Sequence, residues 1–532
     1  MSPAKTRDTW RNAPLRAMLA IVMIVGVAGS VLGYDDGDIA ADPALETGPL
    51  SSPLVGSAVS VGVPLALSSR TGAPYTIYLD FGGFSFTGLW GNNASYLPGD
   101  TPAYANDGDA TTFSSGELAN IKNVWSRVAE KFAWANVNVT TVDPAVAAGQ
   151  AGSDLQRQNY YDSQPGMMHT VIGGNGEWTS GGGIGFVGVT GHAQVGTNGN
   201  HTDFVFSAQK PDRLPFVAEA SAHENGHGLG LYHQSDYDGT TLVNEYSSGT
   251  GIGPGSKAPT MGNAYSAERG LWKLGTAHVL NDGQIVQNDI GSILNVNTNP
   301  GIAIADDGVG HSLATATPLP LIGVAVNFNL APGVIAPTSN SPGTSGSANY
   351  STDYWSFTAP GGPMSISAIA GRETITPGQP DPGGTLDATL RILDALGNLV
   401  AESATSSLSE TISTDLAPGD YFAQVTSAAD PAGSSFFDLG SYFLVGAVPE
   451  PPSVLLLVTG AVVLFTTGFR VVGRGAIENR ENARGFLEGW RRGSPGAGRG
   501  RGSPLVGFAG GRGRCRPVRC GRPGRSGSTR PS

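Results

Sequence analysis

Residues 75–81 (YTIYLDF) place β-branched and aromatic side chains at strand spacing. A helical period takes over in GELANIKNVWSRVAEKFAWA (116–135). There Leu118, Ile121, Val124, Trp125, Val128 and Phe132 recur in three- and four-residue steps, which gathers them on one face. Ser114 and Ser115 stand ahead of the run as capping residues. VNVTTV (137–142), HTVIGG (169–174) and DFVFS (203–207) read as strands, and a second helix is expected over 216–230. The mixture of strands and helices predicts an α/β domain over residues 73–300. GIGFVGV (183–189) is an apolar run between glycines and reads as an exposed edge strand. Gly183, Ile184, Gly185, Phe186 and Val187 are its candidates for main-chain pairing with an extended peptide. The same run spells G-x-G-x-x-G. No helix opens there and no acidic residue closes a second strand, so a dinucleotide site is not expected.

Residues 303–447 change character. Short alternating runs dominate: DYWSFTA (353–359), MSISAIA (364–370), TLDATLRILDALGNLVAE (385–402) and GDYFAQVTS (419–427). Turn signals separate them, and the pattern predicts an all-β sandwich, for which any jelly-roll or immunoglobulin-like module is the generic reading. The series from Asp353-Tyr-Trp-Ser-Phe through Leu386-Asp-Ala-Thr-Leu390 to Leu416-Ala-Pro-Gly-Asp-Tyr421 resembles bacterial pre-peptidase C-terminal domains. That resemblance implies an accessory domain of a secreted peptidase. Residues 34–72, rich in Pro, Ser, Gly and Asp, read as a linker or short pro-segment.

Charge sharpens this division. The formal net charge of −12 conceals a middle, 34–448, with 12 Lys/Arg against 38 Asp/Glu, a net of −26. A phosphate backbone would be repelled, so no nucleic acid is expected as a partner of the body. Both cysteines, Cys515 and Cys520, lie in the basic tail, so the body offers no disulfide, no thiol nucleophile and no thiolate ligand.

Lys5, Arg7, Arg11 and Arg16 precede an apolar stretch at 17–32, and Val31 and Gly33 permit cleavage before Tyr34. Residues 1–33 therefore read as a signal peptide. The alternative is an uncleaved anchor, for which the run falls short of ~20 residues. At the other end Val448-Pro-Glu-Pro451 precedes SVLLLVTGAVVLFTTGF (453–469), followed by Arg470 and Arg474. A proline-flanked acid, an apolar run and a positive stop, together residues 448–474, resemble a PEP-CTERM sorting signal. The resemblance implies processing by an exosortase-type transpeptidase, membrane retention through 453–469 and the envelope or outer surface of a Gram-negative-type bacterium. The simpler alternative is a plain membrane anchor. Unlike such signals the chain continues, through a Gly/Arg-rich tail at 475–532. Its composition buries no core and reads as disordered. It would suit RNA, and a shifted reading frame would produce the same composition.

The chemistry concentrates in Ala222-His223-Glu224-Asn225-Gly226-His227-Gly228-Leu229-Gly230-Leu231-Tyr232-His233. His223 and His227, four apart, share a helix face and can bind one metal ion. Gly230 lets the helix stop and the chain reverse, so His233 can return as a third ligand. Three neutral imidazoles suit Zn²⁺ and leave a fourth position for water. Glu224 is placed to take a proton from that water.

This is the H-E-x-x-H-x-x-G-x-x-H pattern, and the chain resembles the metzincin zinc endopeptidases. The resemblance implies an α+β fold, a mixed twisted sheet plus active-site helix ahead of the sandwich. It implies metal ligation by His223, His227 and His233, general-base work by Glu224, a Met-turn at Met261 beneath the metal, and substrate along the edge strand at 183–187. Two features depart from the better-known branches. Gln234 follows the third histidine, and Asn263 stands where some members carry a tyrosine, leaving Tyr265 as the nearest candidate for an oxyanion role. The other histidines (His169, His192, His201, His278, His311) lack ligand spacing and read as structural or surface residues. The expected function is a secreted or cell-surface zinc endopeptidase acting on protein or peptide. The alternative is a non-catalytic adhesin or matrix protein on the same scaffold.

Overall fold

A computed structural model of the chain describes residues 33–35 and 65–448, apart from 94, 180, 192–198, 210–212, 280–282, 341–348, 373–375, 377 and 429–434. The expected signal peptide apart from Gly33, the sorting signal apart from Val448, the basic tail and His192 lie outside the described residues. Among the described residues no helix is long and apolar enough to cross a membrane.

Six strands build the sheet of the α/β region: β1 (Gly33–Asp35), β2 (Tyr75–Asp80), β3 (Val137–Thr140), β4 (Met167–Ile172), β5 (Gly183–Phe186) and β6 (Thr202–Val205). Their spatial order is β1-β5-β6-β4-β2-β3. β2 runs parallel to β3 and β4, and β4 to β6, while β5 is antiparallel to β6 and β1 antiparallel to β5. β4 and β6 are buried along their whole length, as expected of parallel strands covered on both faces. β4 begins two residues earlier than 169–174 predicts. Gly174, at φ +60°, already turns the chain out of the sheet.

Helix α1 (Ser115–Lys131) starts at a capping box. Ser114 Oγ accepts from Glu117 N, and Glu117 Oε2 accepts from Ser114 N at 2.8 Å. Its apolar face carries the predicted Ile121, Val124, Trp125 and Val128, all buried. Trp125 Nε1 donates to Val139 O on β3 at 3.0 Å and pins the helix to the sheet. The helix stops at Lys131 and not at 135. Trp134 Nε1 takes the Lys131 carbonyl at 3.0 Å, while Ala133 and Ala135 close three-residue turns.

Beyond these elements the chain forms two antiparallel layers. Strands Thr352–Ala359, Gly419–Ser427, Ala388–Asp394 and Leu399–Ser403 lie in one sheet, and Gly440–Ala447, Gly362–Ala370 and Ser409–Leu416 in the other. Trp355 Nε1 donates across the layers to Tyr442 Oη at 2.9 Å, and Tyr442 Oη to Asp353 Oδ2 at 2.7 Å. The four runs read as strands all form strands. Ser409–Leu416 and Gly440–Ala447 carry weaker signals. The first is mostly polar, and the second is a continuous apolar run without alternation.

The sandwich is fastened to the α/β region by buried polar contacts. Arg269, on strand Ala267–Leu271, pairs with Asp387 at 3.0 Å and Asp438 at 2.7 Å, and Lys257 adds 2.8 Å to Asp438. Glu130 of α1 accepts from Ser441 N at 2.8 Å and from Thr385 Oγ1 at 3.2 Å. Burial pushes the Glu130 carboxyl up to about 7 from 4.5, with Arg372 opposing the shift. The folded protein holds that proton more tightly than the unfolded chain. Its contribution to stability therefore falls as pH rises from ~4.5 to ~7, by up to about 1.4 kcal/mol per pH unit, and is level above. Buried Asp289, pushed up to about 7, acts in the same direction. Glu130→Gln keeps an acceptor oxygen for Ser441 N. Its unfolding free energy is expected to decline less between pH 5 and pH 8 than that of the parent, by ~1–3 kcal/mol, as followed by denaturant melts at the two pH values.

Candidate metal centre

The H-E-x-x-H segment lies on α2 (Leu214–Gly228), with Pro215 in its first turn. Every residue from Phe216 to Gly228 is buried, because the helix packs against α1 and against β4, β5 and β6 of the sheet. It ends two residues before 230. Gly230 then takes φ +93°, which a side chain would disfavour, and its N donates to His227 O at 2.7 Å. That reversal carries the chain into the short strand His233–Gln234, which pairs antiparallel with Leu274–Val279.

The three predicted histidines meet. His223, His227 and His233 are fully buried, and their ligand nitrogens lie within 4.8 Å of one another, as one metal ion requires. Each ring has its Nδ1 committed. His223 Nδ1 donates to Thr260 O at 2.8 Å, His227 Nδ1 to Leu231 O at 2.8 Å and His233 Nδ1 to Glu245 Oε1 at 2.9 Å. A carbonyl oxygen only accepts, so His223 and His227 carry their proton on Nδ1, and Nε2 is the lone-pair atom. The Glu245 carboxylate imposes the same tautomer on His233. Nε2 of His227 and Nε2 of His233 are 3.1 Å apart. Two neutral imidazoles in this tautomer have no proton to share there, whereas a cation between them turns the contact into two bonds. The donor set therefore fits a metal ion. Its second-layer acceptors are those that orient ligating histidines in general.

Glu224 is buried beside His223 and lies directly under β5. A Cβ on Gly183 would sit 2.4 Å from Glu224 Oε1, and one on Gly185 3.1 Å from Oε2. Two glycines at alternate positions thus let the strand rest on the carboxylate. The expectation of an exposed edge strand needs correction. Gly183–Phe186 are all buried, because the Phe186 ring packs tilted against Trp90, centroids 4.0 Å apart, and β1 pairs along the strand. Val187 lies just past the end of β5, and Gly188 at φ +73° turns the chain away.

Met261 is buried below the helix. A Cβ on Gly226 would lie 2.3 Å from its Sδ, so glycine between Glu224 and His227 admits the methionine. The same turn supplies two carbonyls to the site. Thr260 O holds the His223 ring, and Met261 O accepts from Gln234 N at 2.7 Å, next to His233. Gln234 spreads further, donating to buried Asp289 at 2.8 Å while its carbonyl accepts from Ser247 N at 2.9 Å.

Tyr265 is not part of this cluster. Its ring stacks on Phe216 at 4.7 Å. The aromatic beside the histidines is Tyr246, with its centroid 4.4 Å from His233 and 6.3 Å from His223. Tyr246 and Glu245 sit in a loop with no spacing relative to the motif, so nothing in the pattern of the chain marked them. His169, bonded to Asp80 and Thr202, His201, bonded to Tyr161 O and Val189 O, and His278, bonded to Tyr237, are structural as expected. His311 joins Asp307 and Asp353 in a second group of metal-capable atoms. There each carboxylate is already taken, Asp353 by Tyr442 and His311, and Asp307 by Val309 N and Val334 N.

No family model matches the chain, and no curated protein matches it. Among solved structures it is similar to the crystal structure of the pre-peptidase C-terminal domain of a collagenase from Bacillus anthracis. The two share 15% identity over 24% of this chain and 89% of that chain, with a TM-score of 0.15. At that score the likeness fixes neither fold nor chemistry, and both rest here on the chain's own residues.

One equivalent of divalent metal per chain is expected from elemental analysis. His227→Ala should lose it and Glu224→Gln should keep it. Glu245→Gln should weaken the affinity ~10–100-fold by loosening the His233 ring.

Proposed function

We propose that the chain is an exported zinc-dependent endopeptidase of the metzincin type. The observation that carries this reading is the shared tautomer of His223, His227 and His233, which brings three Nε2 atoms together on the helix that also carries Glu224. Zinc is the ion that an all-imidazole set of three with an open position suits best. Bound there, it would supply Lewis acidity toward a carbonyl and make a water acidic near neutral pH.

The chain's own residues supply the rest. Glu224 accepts the proton of the attacking water and returns it to the leaving amine. Burial against β5 keeps bulk water from competing for that carboxylate. With the pairing to β1 released, β5 would offer main-chain donors and acceptors to an extended peptide, so recognition would depend on backbone more than on side chain. Tyr246, whose ring packs near His233, is the phenol we assign to donate to a developing oxyanion. The three-imidazole set and its supporting acceptors are intact, which favours turnover over the scaffold-only adhesin. The order signal peptide, enzyme, sandwich, sorting signal supports placement at the cell envelope, with an exosortase-type enzyme as processing partner.

A peptide-hydrolysis assay tests this directly. Activity is expected to vanish with chelator, return with zinc and fall at least ~10³-fold in Glu224→Gln while the metal stays bound. Polymer or partner binding that ignores this substitution, with no hydrolysis by the parent, would favour the adhesin. Tyr246→Phe should lower kcat ~10–100-fold with KM nearly unchanged.

A further inference from the structure

We propose that the hairpin Leu321–Val326, with Leu330 beside it, is a face that lies on a phospholipid bilayer, where the chain leaves the sandwich for the apolar run at 453–469. The proposal rests on reading that run as a membrane-retained segment. It does not rest on the endopeptidase reading.

Strand Gly440–Ala447 carries the chain to Val448, and the hairpin closes around that end. Ala325 pairs with Ala447, and Val448 N donates to Val324 O at 2.9 Å. Leu321 and Ile322 form the outer strand of the hairpin, in the register Leu321↔Val326 and Ile322↔Ala325. Asn327 N closes it on Pro320 O at 2.7 Å. Leu330 follows in the turn Phe328–Leu330, and the next carbonyl, Ala331 O, accepts from Leu444 N at 3.1 Å. Leu444 stands three residues before Ala447, so Leu330 lies about 10 Å back from the exit. Leu321, Ile322 and Leu330 are 37%, 68% and 63% exposed. Large aliphatic side chains grouped at one place in water mark a contact surface, whereas single scattered ones do not.

Two features of the chain say what covers this face. The first is the tether. Only Pro449-Glu450-Pro451-Pro452 separates Val448 from Ser453, where the apolar run begins. At 3.1–3.6 Å per residue the step from 448 to 453 spans at most about 18 Å. A headgroup layer ~5–8 Å deep takes up part of that length. The hairpin, bonded to Val448 itself, is therefore held within ~10–13 Å of the bilayer surface. The second feature is charge. The body carries a net of −26, yet residues 312–352 hold no charged side chain, and neither do 440–448. The two segments that meet at the exit are thus the neutral part of an acidic protein, and anionic headgroups do not repel them. In the same sheet Asp415, opposite Pro363, stands two strands beyond Gly440–Ala447. That carboxylate confines the contact to the hairpin side.

Three aliphatic side chains would not hold a free protein on a membrane, since even a single myristoyl chain binds only marginally. The tether makes the contact intramolecular, and a weak contact is then populated. Its effect is orientation. Arg269 ties the α/β region to the sandwich through Asp387 and Asp438, so a docked hairpin limits how the metal centre turns relative to the membrane.

The test uses the chain from Tyr34 to Ser532 with Cys515→Ser and Cys520→Ser, so that one introduced thiol carries the probe. It is reconstituted in phosphatidylethanolamine–phosphatidylglycerol vesicles that contain nitroxide-labelled acyl chains. A nitrobenzoxadiazole probe is attached at Ile322→Cys. The reference probe is attached at Ser407→Cys, exposed at the opposite end of the sheet, where Ser409 pairs with Ile369. The nitroxide is expected to quench the Ile322 probe several-fold more than the reference. Leu321→Glu with Leu330→Glu, both at exposed positions, should bring the Ile322 probe down to the reference value. Equal quenching at the two sites of the vesicle-bound chain overturns the proposal. A blue-shifted Ile322 probe without quenching assigns the face to protein, a second copy included, and overturns the lipid contact. A chain that washes off the vesicles overturns the membrane reading of 453–469 and the docking with it. No arm involves hydrolysis, so the outcome is separate from that of the endopeptidase reading.

Discussion

The site depends on where three Nδ1 protons go. Thr260 O, Leu231 O and the Glu245 carboxylate each take one, and this fixes both the tautomer and the tilt of an imidazole. Of the three acceptors, one comes from the turn at Met261, one from the reversal after the helix, and one from a loop on the far side of His233. The centre is assembled only when helix, reversal, turn and loop are all in place. In a low-dielectric interior the cost of three converging lone pairs is high, and a cation relieves it. That tension separates this cluster from the second one at Asp307, His311 and Asp353, where carboxylate oxygens are already satisfied by backbone N–H groups, a phenol and the imidazole itself.

The glycines in and around the helix have one purpose in common, close approach. Gly226 admits Met261 against the helix between Glu224 and His227, and Gly183 lets β5 lie on Glu224. The turn at Thr260–Met261 then acts on both ends of the ligand set. One carbonyl holds the His223 ring, and the next anchors the strand that carries His233. A methionine turn described only as a hydrophobic floor would miss this second function. In this chain its backbone positions the ligands as much as its side chain packs beneath them. The sandwich reaches the same neighbourhood through Arg269, which sits on the strand directly after that turn and is paired with two carboxylates of the sandwich. Its fastening is thus linked to the metal site by a short covalent path.

Much of this was legible in the residues, and the reasons are specific. The meeting of His223, His227 and His233 could be read because their spacing is a helix turn plus a glycine-permitted reversal, both local rules. Three of the four named sandwich runs could be read because burial alternates along their strands, whereas Ala388–Asp394 is buried on both faces and shows itself as an apolar run. Local rules fail for Glu245 and Tyr246, which reach the site through tertiary packing and sit at no fixed offset from the motif. They also fail for Tyr265, whose closeness to Met261 in sequence suggested a role that its stacking on Phe216 denies it. The edge strand was legible as a strand but not as a covered one. Its coverage comes from Trp90 and from a segment about 150 residues earlier in the chain. Gln234 looked like a departure from pattern and proves to be a structural hub. It ties Met261, Ser247 and Asp289 to the third ligand.

The central claim is that three imidazoles, through Nε2, share one cation and leave room for a non-protein ligand. X-ray absorption at the zinc edge of the zinc-loaded protein measures this most directly. The account predicts three imidazole nitrogens at ~2.0–2.1 Å with one or two non-protein oxygen scatterers completing the shell. Fewer than three imidazoles, or a shell closed by four protein ligands, would contradict it.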